Sequence, residues 1–107
     1  MGMTASDVEA LRKVLYAVDG YDSEFLDSLN EEELQLIFTR RFLFQTTNAE
    51  TFEEFLKGNS KGIKNICDFK NAPKKWRDDF VNFKTQHQFS TWEDWRDYAM
   101  ICYRELA

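Results

Sequence analysis

Proline occurs once, at Pro73, and glycine only four times in 107 residues. An all-β chain of this length needs a turn every few residues, and that punctuation is missing. There are two cysteines, Cys67 and Cys102, too few for the disulfide framework of a small secreted scaffold. A buried thiol is commonly just a small hydrophobe, so the expected setting is a reducing cytoplasm. No run of about 18 apolar residues is present, and no membrane span is expected. Glycine-rich phosphate loops, C-x-x-C pairs and H-x-x-x-H pairs are absent as well, which leaves no local signal for a cofactor or a metal. Asp19, Asp22 and Glu24 flank a glycine but lack the alternation of a calcium loop.

What the chain has in quantity is aromatic side chains, 16% of residues, within a hydrophobic total of 43%. That is too apolar for a disordered segment, and 107 residues suffice for one self-standing core. The expectation is an all-α single domain over 3–107, with Met1-Gly2 read as a cloning scar. Met1-Gly2-x-x-x-Ser6 also satisfies the loose myristoylation template, without the basic cluster that would supply a second membrane signal.

The stretch NEEELQLIFTRRFLFQ, Asn30 to Gln45, carries seven large apolar side chains within eleven positions. Leu34, Ile37, Phe38 and Phe42 share one face, while Leu36, Leu43 and Phe44 cover much of the rest. A helix apolar nearly all round belongs at the middle of a bundle. A central helix over about 31–45 is therefore expected, capped by Asn30 with Glu33 in the reciprocal position and with Arg40-Arg41 near its end.

Around it, five to seven short helices are expected in all. The first is capped by Ser6 with Glu9, carries the stripe Val8, Leu11, Val14, Leu15 and Val18, and stops at Gly20. Asp22 or Ser23 caps a short turn that buries Phe25, Leu26 and Leu29. Thr47 or Asn48 caps the segment with Phe52, Phe55 and Leu56, and Gly58 ends it. A helix with Ile63, Ile66 and Cys67 runs to about Asn71. Pro73 then opens one with Trp76, Phe80, Phe83 and His87 in register. A box at Ser90 to Glu93 starts the last, whose stripe is Trp92, Trp95, Ala99, Cys102 and Leu106. The run FSTWEDWRDY, with the helix before it, resembles the second half of a small bacterial SAM-like helical domain of unassigned role.

Charge is distributed unevenly. Residues 1–56 carry a balance of −8, residues 57–84 one of +5 and residues 85–107 one of −2, giving −5 overall. Asp22, Glu24, Asp27, Glu31, Glu32 and Glu33 form one acidic run, and Glu50, Glu53 and Glu54 a second. Carboxylates on rigid helices can occupy a groove built for phosphates. Small acidic helical inhibitors of nucleic-acid enzymes from phages, of the anti-CRISPR and anti-restriction kinds, are similar in type. The leading expectation is thus a protein-interaction module whose partner is a basic nucleic-acid-handling protein. Glutamates at helix starts also stabilise the helix dipole, which accounts for part of the run.

The second expectation is direct nucleic-acid binding by the basic segment. Lys61, Lys64, Lys70, Lys74, Lys75 and Arg77 surround Trp76, with Lys57 and Lys84 at the edges. Lysines for phosphates beside an aromatic for stacking is a single-strand-binding pattern. Asp68, Asp78 and Asp79 among them favour a solvated helix face instead. An enzyme comes third, resting on Cys67 as nucleophile and His87, the single histidine, as base. Tyr21, Tyr98 and Tyr103 are candidate anchors for a partner. The same surplus of aromatics would suit one face of a symmetric dimer.

Overall fold

Six polar residues, each three positions ahead of the amide it binds, cut the chain into short helices. Asp22 accepts from the Phe25 amide (2.9 Å), Asn30 from Glu33 (2.8 Å) and Thr39 from Phe42 (3.1 Å). Thr51 accepts from Glu54 (3.0 Å), Asn65 from Asp68 (2.9 Å) and Thr91 from Asp94 (3.1 Å). Each bond satisfies an amide that the first helical turn leaves without a partner. In the computed structural model, which describes residues 22–106, these caps precede α1 (Ser23–Asp27), α2 (Glu31–Ile37), α3 (Arg40–Thr47), α4 (Phe52–Leu56), α5 (Ile66–Lys70) and α7 (Trp92–Leu106). The remaining helix, α6 (Lys74–Lys84), follows Pro73 with no side-chain cap. Among the described residues there is no strand, and the all-α bundle stands. The expected Ser6–Gly20 helix, the Met1-Gly2 reading and Tyr21 lie outside the described residues, as does the side chain of Leu106.

The expected continuous helix over 31–45 is two helices. Thr39 is the reason: its hydroxyl caps α3 from an extended backbone, and Phe38 before it leaves helical geometry at φ −86°, ψ 71°. The bend sends Phe38 into the interior, where its ring lies 4.6 Å from Trp95, 5.5 Å from Phe52 and 5.5 Å, stacked, from Trp92. It also moves Arg40-Arg41 from the end of a long helix to the first turn of α3, the unfavourable end for a cation. Glu50 at 2.7 Å offsets this for Arg40 and raises its pKa. Leu36 and Phe44, expected inside, are 61% and 54% exposed.

Interior packing is organised instead by α7. Trp95 is fully buried and its ring lies within about 6 Å of Phe38, Phe42, Phe52, Phe55 and Trp92, while its indole N–H donates to Thr46 Oγ1 at 3.1 Å. α6 packs along α7, α2 packs against both α5 and α7, and α3 against α4. The amide of Trp92 donates to Asp78 Oδ1 at 2.8 Å, tying the start of α7 to the middle of α6. The radius of gyration, 13.0 Å, is that of a single globule of about this length.

Several boundaries and faces shift by a few residues. Thr47 closes α3, Asn48 follows in the left-handed region at φ 67°, and Thr51 rather than either of them caps α4. The cap at the start of α7 is Thr91, which accepts from the Asp94 amide, rather than Ser90. On α6 Val81 is the fully buried residue, with buried Thr85 just beyond the helix end; Trp76, Arg77 and Phe80 are half-buried, Trp76 and Phe80 packing against the core, and Phe83 is 69% exposed. His87 sits beyond the helix end at φ 69°, exposed. Ile66 and Phe69 are the buried residues of α5 and Cys67 is exposed, while Phe25 is 40% exposed although Leu26 and Leu29 are buried as expected.

Asn30 and Glu33 exchange the reciprocal bonds of a capping box, at 2.8 Å and 2.9 Å. Asn30→Ala is expected to cost about 1 kcal/mol, read as a lower urea midpoint with an unchanged slope.

Candidate functional site

The acidic residues fall into two groups by what holds them. Asp22 caps α1, Glu33 completes the α2 box, Glu54 accepts from the Glu50 amide at 3.2 Å, and Glu50 pairs with Arg40. Asp27 accepts from the guanidinium of Arg96 at 2.6 Å. These carboxylates have structural work, yet all of them remain at least partly exposed. Glu24, Glu32 and Glu53 are exposed, one each on α1, α2 and α4.

Glu31 is a further case. Its own backbone amide and the Cys67 thiol both donate to its carboxyl, and these bonds, with Lys70 nearby, hold its pKa below the ordinary 4.5. A carboxyl depressed in the folded state contributes stability above its ordinary pKa and loses it as pH falls through the folded value. Glu31→Gln is therefore expected to flatten the loss of stability between pH 5 and pH 3, measured by urea unfolding at each pH.

Cys67 gains nothing from this contact as a nucleophile. Donation to Glu31, with Asp68 close by, pushes its thiol pKa up, whereas a reactive cysteine needs it lowered. His87 Nδ1 hydrogen-bonds Asn82 Oδ1 at 2.8 Å, and no hydrogen bond joins the imidazole to Cys67. Among the described residues, no three His, Cys, Asp or Glu side chains converge where they could hold a metal ion.

The basic segment is neutralised only in part. Lys74 lies 2.7 Å from Asp78 and 3.0 Å from Glu93, which raise its pKa in that order. Lys75 meets Asp79 at 3.1 Å. Trp76 stacks on Phe80 at 4.8 Å and meets Phe69 edge-on, so one of its faces is occupied by the protein's own ring. Lys84 lies over Phe80 and reaches the Lys57 carbonyl at 3.2 Å. Lys70 turns inward and donates to the Leu29 carbonyl at 2.7 Å. Lys61 is exposed on the loop bounded by Gly58 and Gly62, and Lys64 is exposed just after it.

Two features escaped the sequence reading. The first is a groove of about 350 Å³ between α1, α2 and the end of α7, whose walls include Leu36, Ile37, Met100 and Tyr103, with Glu33 and Arg104 at its edge. Leu36 lies four positions after Glu32, so an exposed leucine and an exposed carboxylate share the outward face of α2. The second is the buried run Arg96–Asp97 on α7, 3% and 1% exposed, in a position that helical spacing alone marks only as polar.

Among the described residues, no helix is long and apolar enough to cross a membrane, and no disulfide joins Cys67 and Cys102. No family model, curated protein or solved structure matches this chain.

Proposed function

We propose that this chain acts by binding rather than by catalysis, as a small acidic module that docks the α1–α2 face onto the basic surface of a nucleic-acid-handling protein. Inhibitors of the anti-CRISPR or anti-restriction class, encoded by phages or mobile elements and acting in the cytoplasm, are the kind of molecule this describes. The observation that carries the reading is the outward face of α2, where Leu36 is 61% exposed beside Glu32 and the groove floored by Ile37 and Met100. Carboxylates speed and orient the encounter with a basic surface, and an apolar anchor in their midst supplies affinity once the surfaces meet. A nucleic-acid backbone would be repelled by the same face.

Leu36→Ala is expected to weaken binding to the partner about tenfold, mainly through faster dissociation, with little change in stability because the side chain is exposed. Biolayer interferometry with the purified partner measures it; an unchanged dissociation rate would place the contact elsewhere. A labelled oligonucleotide tests the competing reading, binding through residues 57–84. Salt-sensitive binding that is weakened by neutralising Lys70, Lys74 and Lys75 would favour the basic segment.

A further inference from the structure

The pocket between α1, α5, α6 and α7 is polar, in contrast to the aromatic interior beside it. It holds about 180 Å³, and its charged walls are Lys70, Arg77 and Arg96 facing Asp27 and Glu93. Both carboxylates are engaged already: Asp27 accepts from Arg96 at 2.6 Å, and Glu93 lies 3.0 Å from Lys74. Arg96 is held from its other side by Asp97 at 2.9 Å. Lys70 spends one of its three protons on the Leu29 carbonyl.

Arg77 is different. Among the described residues its buried Nε meets no hydrogen-bond acceptor. A buried donor in that condition costs stability unless something else accepts it. Two cations thus line one small cavity with charge that the surrounding carboxylates do not neutralise directly.

We infer that this cavity binds a phosphate-class oxyanion, gripped by the Arg77 fork and the Lys70 ammonium, with Arg96 as a fixed positive wall. A planar guanidinium presents paired N–H donors that match tetrahedral oxyanions, and an ammonium adds a mobile point charge. A water molecule in the cavity would leave both positive charges uncompensated. The cavity is large enough for the anion itself. The phosphate is either free inorganic phosphate or the terminal group of a short nucleotide. The site involves neither Leu36 nor Glu32, the residues that carry the docking proposal.

Thermal unfolding of the full chain tests this, in about 10 mM inorganic phosphate against chloride of equal ionic strength. A second arm compares a 5′-phosphorylated thymidine dinucleotide with its 5′-hydroxyl form. The expected result is a midpoint several degrees higher with at least one phosphate. That rise is lost in Arg77→Gln, reduced in Lys70→Gln and kept in Lys75→Gln. Response to inorganic phosphate assigns the free anion, and response to the 5′-phosphorylated dinucleotide alone assigns the nucleotide end. No rise in either arm overturns the inference, as does an equal rise in the wild type and Arg77→Gln. Should Arg77→Gln fail to fold, an equal rise in the wild type and Lys70→Gln overturns it.

Discussion

Trp95→Ala is expected to lower stability by about 3–5 kcal/mol. The indole has no exposed surface and sits among five other aromatic rings contributed by α3, α4, α7 and the Phe38 bend. Truncating it removes contacts to all of them and leaves a cavity that four separately anchored segments cannot close together. It also strips Thr46 of the indole donor at 3.1 Å. Domains of this size are stable by only about 5–15 kcal/mol, so the loss takes a large share of the total. Urea unfolding measures it, with near-UV circular dichroism reporting whether the remaining aromatic packing survives. Trp95→Phe, which keeps most of the ring contacts, is expected to cost well under half as much.

Arg96→Met is expected to cost about 3–5 kcal/mol for a different reason. The guanidinium is 4% exposed and bonds Asp97, 2% exposed, at 2.9 Å and Asp27 at 2.6 Å. Methionine fills much of the same space, so the cost is not mainly a cavity. It comes from leaving a carboxylate in the interior without its cation, where desolvation is no longer offset. Arg96→Met combined with Asp97→Leu is expected to recover a substantial part, because two apolar side chains carry no desolvation cost. Urea unfolding of the two single variants and the double variant forms a cycle that isolates the coupling between the pair. A double variant no more stable than Arg96→Met would mean that Asp97 is held chiefly by other groups.

The helical class and the starts of α1, α2 and α6 were legible in the sequence because capping is local. Asn30 with Glu33, Asp22, Pro73 and the glycine-bounded loop at 58–62 all act within three or four residues of themselves. The break at Thr39 was not legible, since the apolar pattern from Leu34 to Phe44 is equally consistent with one helix. A threonine inside an apolar run is a weak helix former that can serve as a cap, and that was the available signal. The exposure of Leu36, Phe44 and Phe83 is a tertiary outcome that periodicity does not encode. For the same reason the stripe through Trp76, Phe80 and Phe83 held for Trp76 and Phe80, which pack against the core, and failed at Phe83, while Val81 and Thr85 were passed over. Charge was read correctly as composition, but its pairing was not. Asp27 with Arg96 and Glu50 with Arg40 are long-range bonds, and they divide structural carboxylates from those left outward.

The proposal that matters most is that the outward carboxylates of α1, α2 and α4, with Leu36 among them, form the working surface. Its most direct test is quantitative affinity capture from the native host, run side by side with the wild-type chain and a Glu24→Gln, Glu32→Gln, Glu53→Gln, Leu36→Ala variant as baits. The account expects the wild type to retain a basic nucleic-acid-handling protein, released by salt, that the folded variant fails to hold. Capture of the same proteins in the same amounts by both baits would contradict it.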